Sequence, residues 1–222
     1  MLQRLLNLIY PPRCILCHRF LNKQETDLCH NCRAEAPEFS ASKIRIPFVA
    51  RWTALWYYKG NVRESLLRFK FHNRRSYAMA YGRLLAMKIS REMPQFDILT
   101  WVPIGKRRLW KRGYDQVALI ARSVASELQI KPVRTLVKIR NAPTQSGIHG
   151  VAERRANILN AFRVRNAAVA GKRILLLDDI VTTGATASEC ARTLLLAGAQ
   201  EVYVAAVATA PHDRKKENNQ NL

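Results

Sequence analysis

The chain has 222 residues, enough for one sizeable α/β domain and a small additional module. Hydrophobic residues make up 48% of it, which excludes global disorder, and the formal net charge of +21 predicts polyanionic or phosphorylated partners. A basic surface that is merely solvated, or that matches an anionic small substrate, is the alternative, but a charge this large favours nucleic acid.

The first ten residues carry apolar side chains at helical spacing and predict a short packing helix rather than a leader peptide. No apolar run in the chain approaches the length of a membrane span. We therefore expect no membrane insertion and a cytoplasmic protein.

Two cysteine pairs follow, Cys14 with Cys17 and Cys29 with Cys32, and eleven residues separate the pairs. Two thiolate pairs at this spacing can close a tetrahedral Zn²⁺ site. Two disulfides are the alternative, but cytoplasmic proteins do not normally keep them. We predict a structural zinc ion held by the four cysteines, with no open position for catalysis, in a module and linker over 1–47.

The next segment predicts a strand at Trp52–Tyr58 and two helices, the second near Tyr77–Met93. A basic cluster interleaved with Phe69 and Phe71 lies between the centres of these helices: Arg63, Arg68, Lys70, His72, Arg74 and Arg75. Such a cluster can hold a nucleic-acid backbone and stack bases. Core phenylalanines beside a solvated charged face fit the pattern equally well.

Asp97–Pro103 predicts the first strand of the main domain, and it leads into a turn formed by Ile104, Gly105 and Lys106. Backbone amides and cations converge in such a turn, which suits the binding of pyrophosphate. Lys111–Gln116 then opens a helix with an apolar face formed by Val117, Ile120, Ala121 and Val124.

Pro132–Ile139 predicts a further strand, and the long polar segment Arg140–Asn157 follows it. A long loop in a compact domain is often a mobile lid, although plain disorder is equally compatible with this composition. The polar end of the chain predicts a disordered tail. We place the main domain at 48–210 and the tail at 211–222.

Gly171–Gly198 predicts a buried strand, a turn and a helix in direct succession. One face of that helix carries small and apolar residues at helical spacing: Ala187, Cys190, Ala191 and Leu194. Asp178 and Asp179 follow the apolar run Ile174–Leu177. A turn of small and hydroxyl-bearing residues precedes the helix: Thr182, Thr183, Gly184, Ala185 and Thr186.

This succession suits a ribose 5-phosphate. The N-terminus of a helix binds phosphate, and Gly184 lets the backbone approach the anion closely. Asp178 and Asp179 can accept hydrogen bonds from ribose hydroxyls or hold hydrated Mg²⁺. An ordinary strand, turn and capped helix with surface aspartates is the alternative, but it does not require both the acid pair and this turn.

Leu175–Thr186 resembles the signature with which type I phosphoribosyltransferases bind phosphoribosyl pyrophosphate (PRPP). Five blocks in this order are similar to the ComF family from Cys14 to about Thr209: the two cysteine pairs, VPIGKRR, KRGYDQ, a loop with Thr144, Gln145 and 154–157, and LLLDDIVTTGAT. The resemblance implies an α/β fold, a type I phosphoribosyltransferase-like parallel sheet with helices on both faces, and a small N-terminal zinc-ribbon-like module.

The resemblance also implies roles for the site residues. Asp178 and Asp179 would contact ribose hydroxyls and Mg²⁺ in catalysis, Thr182–Thr186 would bind the 5-phosphate, and Ile104, Gly105 and Lys106 would form the pyrophosphate loop. One departure is Asp115, where family members usually carry an asparagine. If Asp115 faced the pyrophosphate, its negative charge would weaken that interaction.

The ComF family is linked to natural competence, the uptake and handling of transforming single-stranded DNA, and one relative is named for gluconate utilisation. The resemblance therefore implies single-stranded DNA, PRPP with Mg²⁺, and a competence helicase as partners. An active phosphoribosyltransferase that transfers ribose 5-phosphate to a nucleobase is the alternative function. A regulator that senses PRPP is a third.

Overall fold

The computed structural model describes residues 11–40, 45–140, 158–165 and 167–211. The strands are β1 (Arg51–Tyr57), β2 (Ile98–Trp101), β3 (Leu136–Lys138), β4 (Phe162–Val164), β5 (Arg173–Val181) and β6 (Glu201–Thr209). The helices are α1 (His30–Glu35), α2 (Gly60–Phe71), α3 (Tyr77–Glu92), α4 (Lys106–Arg112), α5 (Gln116–Glu127) and α6 (Ala185–Leu196), with a 3₁₀ turn at Ala167–Val169.

Four parallel strands form the main sheet in the order β1-β6-β5-β2, and β3 pairs with β4 in a separate antiparallel ribbon. The central strands β5 and β6 are almost continuously apolar because helices and loops cover both faces of the sheet. The predicted parallel sheet is confirmed. The strand predicted to come first, β2, is however preceded by β1, which pairs with β6 and lies at the edge of the same sheet.

Alternate residues of β5 divide the core into two layers. Leu175 and Leu177 face a cluster that includes α2, α3 and α5, whereas Ile174 and Leu176 face a cluster that includes α6. The predicted apolar faces of both later helices are buried: Val117, Ile120, Ala121 and Val124 on α5, and Ala187, Cys190, Ala191 and Leu194 on α6.

The cysteine-rich module packs against α2 and α3. Ser65 donates a hydrogen bond to the carbonyl of Ile15, and Arg68 donates to the carbonyls of Ile15 and Leu16. Arg83 of α3 donates from Nε to Oδ2 of Asp27 over 2.9 Å. The module therefore shares one apolar cluster with the main domain.

The segment predicted as a linker also contributes to the core. Phe39 and Ile46 are buried in the layer that includes α6. The backbone N–H of Phe39 donates to the carbonyl of Leu55 over 3.0 Å, and Lys88 donates to the carbonyl of Phe39 over 3.2 Å. This part of the chain thus continues the packing between the cysteine-rich module and the sheet.

Candidate functional site

The predicted site elements meet at one edge of the sheet, where β2 and β5 end. The backbone N–H of Val102 donates to the carbonyl of Leu177 over 2.9 Å, so the chain leaves β2 beside Asp178. The turn at 104–106 follows immediately, and the turn before α6 follows the end of β5. Ligands of open parallel sheets bind beyond the carboxyl ends of the strands, which is where these segments converge.

The two adjacent aspartates lie inside β5, and both are buried. Oδ2 of Asp179 accepts from Nζ of Lys70 and from Nε2 of Gln116, each over 3.0 Å. Burial opposes ionisation of Asp179, but the Lys70 charge and the hydrogen bond from Gln116 hold its pKa below the ordinary value. Asp179 is therefore an ionised carboxylate fixed by two side chains.

Asp178 has a different environment. Its Oδ1 accepts from the backbone N–H of Asp179 over 2.8 Å. Burial, reinforced by the negative charge of Asp179, raises the pKa of Asp178 to about 8. Near neutral pH Asp178 is therefore protonated, while Asp179 is ionised.

This proton predicts a pH dependence of stability. The folded protein retains a proton that the unfolded chain releases above an ordinary pKa of 3.8, so the free energy of unfolding should fall from about pH 4 to about pH 8. Asp178→Asn keeps the acceptor oxygen but has no carboxyl group to titrate. Its free energy of unfolding should therefore decline less over pH 5–8 than that of the wild type. Urea denaturation in Mg²⁺-free buffer measures both.

Asp97→Asn provides the control for the pH experiment. Arg173 lowers the pKa of Asp97, so the stability that this carboxylate contributes is present above about pH 4 and is lost only at lower pH. Its variant should keep the wild-type decline over pH 5–8. An unchanged decline in Asp178→Asn would contradict a protonated Asp178.

The turn before α6 has the conformation that the phosphate interpretation requires. Gly184 has φ of 73°, and a Cβ placed there would lie 3.0 Å from Cγ1 of Ile46. Oγ1 of Thr183 accepts from the N–H of Ala185 over 3.4 Å, while Thr182 is exposed. The first N–H groups of the twelve-residue α6 have no partner within the helix, so the residues present fit a phosphate.

The predicted pyrophosphate turn continues directly into α4, a helix that the sequence did not indicate. Gly105 precedes α4, and Lys106 is its first, exposed residue. Ile104 is partly exposed and Gly105 is buried. The turn lies beside the acid pair, because β2 is the neighbour of β5.

Asp115 caps α5. Its Oδ1 accepts from the N–H groups of Val117 and Ala118 over 3.1 and 3.0 Å, and Oδ2 accepts from Nε1 of Trp101 over 3.3 Å. Burial raises the pKa of Asp115, whereas these hydrogen bonds favour its ionised form. The carboxylate thus serves as a helix cap. The next residue, Gln116, donates to Asp179.

The basic cluster predicted over Arg63–Arg75 is divided by the fold. Phe69 is fully buried, Arg68 holds the cysteine-rich module, and Lys70 holds Asp179. Phe71, His72, Arg74 and Arg75 are exposed. Sequence reasoning missed the role of Lys70, although its position four residues after the core residue Leu66 places it on the buried face of α2.

The four predicted metal-binding cysteines are brought together. The Sγ atoms of Cys14, Cys17, Cys29 and Cys32 all lie within 4.8 Å of one another. The Sγ atoms of Cys17 and Cys29 are 3.6 Å apart, close to the roughly 3.8 Å expected between thiolates that bind one tetrahedral zinc at about 2.3 Å. All four are free thiols, so the disulfide alternative is not present, and the donor set fits Zn²⁺.

Several predicted segments lie outside the described residues: the helix over the first ten residues, the lid beyond Arg140, and the tail from 212. Within the described ranges, no helix combines the length and apolarity that crossing a membrane requires.

Two family models match the chain. One is described as a double zinc ribbon domain and covers residues 5–43, and the other is described as a phosphoribosyl transferase domain and covers residues 118–221. These matches, together with the parallel sheet and the cysteine cluster, confirm the predicted fold class.

The chain is also similar to curated proteins from several bacteria. Competence protein F of Haemophilus influenzae is 26% identical over 89% of this chain and 97% of its own length. DNA utilization protein YhgH of Salmonella typhi is 30% identical over 86% of this chain and 87% of its own length. Competence protein ComFC of Bacillus subtilis is 24% identical over 81% of this chain and 82% of its own length.

Proposed function

Because this chain belongs to the ComF family, we propose that it is a DNA-handling protein of natural competence that binds single-stranded DNA and, with Mg²⁺, a PRPP-like ligand. We also propose that its four cysteines hold a structural zinc ion. The observation that carries the ligand proposal is the convergence of a buried acid pair, a glycine turn before a helix, and a basic turn at one edge of the sheet.

Each part of the site has a place in this proposal. The N-terminus of α6, the backbone of Thr182–Thr186 and the hydroxyls of the three threonines in this range would hold the 5-phosphate. Asp178 and Asp179 would hold the ribose hydroxyls and Mg²⁺, and Ile104, Gly105 and Lys106 would contact the pyrophosphate. Mg²⁺, when bound, supplies positive charge against the phosphate oxygens.

The ligand proposal predicts a thermal shift. PRPP with Mg²⁺ should raise the unfolding temperature of the wild type, because a ligand that binds only the folded state stabilises it. Asp178→Asn and the double variant Asp178→Asn with Asp179→Asn should lose this shift. The single variant is essential, because it leaves the pair of Asp179 and Lys70 intact.

Asp97→Asn is the matched control for this shift. Asp97 adjoins the amino end of β2, opposite the proposed site, and its carboxylate holds the backbone N–H of Arg173 over 2.8 Å. This variant should respond to PRPP as the wild type does. Absence of any shift in a folded, zinc-containing wild type would reject the ligand proposal.

The DNA proposal predicts a salt-sensitive complex. The net charge of +21 should give binding of labelled single-stranded DNA that weakens steeply as salt is raised, because protein cations displace counterions from the phosphates. Gel-shift titrations between about 50 and 200 mM salt measure this dependence. No shift at low salt would remove the physical support for a DNA-handling role.

An active phosphoribosyltransferase is the second candidate, and the acid pair with its phosphate turn favours it. Mg²⁺ and the basic turn would stabilise departing pyrophosphate while a base nitrogen attacks the ribose carbon, and no protein nucleophile is required. Pyrophosphate release from PRPP and Mg²⁺ across a panel of nucleobases tests it. Release of pyrophosphate with any base establishes catalysis. If no base gives release, the proposal is reduced to ligand binding without catalysis.

A further inference from the structure

Helix α4 is exposed from Lys106 to Lys111, and only Arg112 at its end is partly buried. None of its seven residues is buried, although Leu109 and Trp110 are large and apolar. Trp110 is 88% exposed, the highest value among the large hydrophobic side chains in the described part of the chain. The C-cap Gly113, at φ of 73°, donates its N–H to the carbonyl of Leu109 over 2.8 Å and ends the helix there. The fold therefore leaves the indole ring of Trp110 exposed to solvent.

The same helix is strongly cationic. Five of its seven residues are cations: Lys106, Arg107, Arg108, Lys111 and Arg112. None of the five forms an ion pair with a carboxylate among the residues that the structure describes. Exposed positive charge around an exposed aromatic ring is complementary to a polyanion that carries flat apolar groups.

A second exposed aromatic ring extends this surface onto the end of α2. Phe71 is 60% exposed, and the guanidinium of Arg112 lies 5.2 Å from the centroid of its ring. Arg75, which is also exposed, lies 4.7 Å from the centroid of the Tyr114 ring, just after α4. These contacts bring the two segments side by side. We name the surface formed by α4, Phe71, Arg74 and Arg75 the aromatic–cationic face.

We propose that the aromatic–cationic face is the surface that binds single-stranded DNA, with bases stacked on Trp110 and Phe71 and phosphates held by the surrounding cations. This location rests on the proposed function, because it takes the binding of single-stranded DNA as given. The two exposed rings support base stacking as the mode of binding. A protein partner would favour a contiguous apolar patch, whereas these rings are separated by charged side chains. In a duplex the base faces are covered, so stacking selects a single strand.

The test is the affinity of the full chain for a labelled oligothymidylate, measured by fluorescence anisotropy at fixed salt. Trp110→Ala and Phe71→Ala should each weaken binding about tenfold, or about 1.4 kcal/mol, which is a typical effect of removing one aromatic ring on which a base stacks. Trp110→Phe should retain most of the affinity. An abasic strand of equal length should bind the wild type more weakly than oligothymidylate, and should bind wild type and the Trp110→Ala, Phe71→Ala double variant alike.

Phe20→Ala is the matched control. Phe20 is another exposed phenyl ring beneath a guanidinium, that of Arg13 at 3.9 Å, but it lies in the cysteine-rich module. We expect wild-type affinity for DNA from Phe20→Ala. The Trp110 and Phe71 variants should keep the wild-type unfolding temperature and zinc content, because both side chains are exposed.

The DNA affinities of the wild type and the variants distinguish the proposed location from DNA binding itself. Wild-type affinity in the Trp110→Ala, Phe71→Ala double variant would overturn this location. DNA binding by the protein would still be supported, and a protein partner would then be the better candidate for the aromatic–cationic face. Loss of affinity in Phe20→Ala alone would place the strand on the cysteine-rich module. A wild-type protein that fails to bind oligothymidylate at low salt would instead overturn the proposed function.

Discussion

Lys70→Met should lower the free energy of unfolding by about 3–5 kcal/mol at neutral pH, because it leaves the carboxylate of Asp179 buried without its counter-charge. The Lys70 and Asp179 side chains are only 15% and 10% exposed, and Nζ lies 3.0 Å from Oδ2. Solvent therefore screens this pair little. Urea denaturation at pH 7 measures the effect.

The effect should also depend on pH. The wild-type pKa of Asp179 is lowered, so its contribution to stability is present above the ordinary value of 3.8 and is lost as the pH falls further. Without Lys70 this carboxylate is protonated more readily, so the difference between variant and wild type should shrink toward acidic pH. Adding Asp179→Asn to Lys70→Met should restore much of the stability, since neither buried charge then remains.

Arg63→Met is the control on the same helix. Arg63 forms an ion pair with Glu64 over 2.7 Å, but the two side chains are 53% and 54% exposed. Exposed pairs contribute about 0–1 kcal/mol, so this variant should remain close to the wild type. If Lys70→Met proved equally mild, the pair with Asp179 would not be what fixes the acid pair.

Cys14→Ser should abolish stoichiometric zinc binding and unfold the cysteine-rich module. Structural zinc contributes roughly 10–16 kcal/mol in small zinc modules, which is comparable to the whole stability of a domain. The loss should also extend into the main domain, because Cys14, Ile15 and Leu16 belong to the same apolar cluster as Leu66 and Phe69 of α2. Metal analysis and thermal unfolding of protein purified without added metal measure both effects.

Cys190→Ala is the control, because Cys190 is the one cysteine of the chain that is not among the four predicted ligands. Cys190 is buried on α6 within the other core layer, away from the four clustered thiols. This variant should keep about one zinc per chain, as a four-thiolate site requires, and should lose only the stability of a small packing defect. A wild type that is folded but contains no metal would contradict zinc binding by the cluster.

Helix α2 contacts both the cysteine-rich module and the acid pair. Arg68 binds the carbonyls of the cysteine-rich module, and two residues later Lys70 binds Asp179 of the candidate site. One helix thus fixes both the module and the acid pair. The zinc-free protein is therefore expected to lose the thermal shift with PRPP as well.

The sequence alone was sufficient for the elements whose signal is local. The apolar run of β5, the glycine turn and the helical spacing of α6 predicted the strand, turn and helix that carry the acid pair. The two cysteine pairs predicted the thiol cluster, because ligand spacing is a property of short segments. The signature Leu175–Thr186 therefore indicated where the site would lie.

The tertiary structure decided how those segments are used. Lys70, Gln116 and Asp179 are far apart in the chain, and no periodicity within α2 or α5 encodes that they meet. The pairing of β1 with β6 likewise joins segments from opposite ends of the described chain. Such contacts depend on how the helices cross the sheet, so a basic cluster and a capping aspartate acquire their roles only when the chain folds.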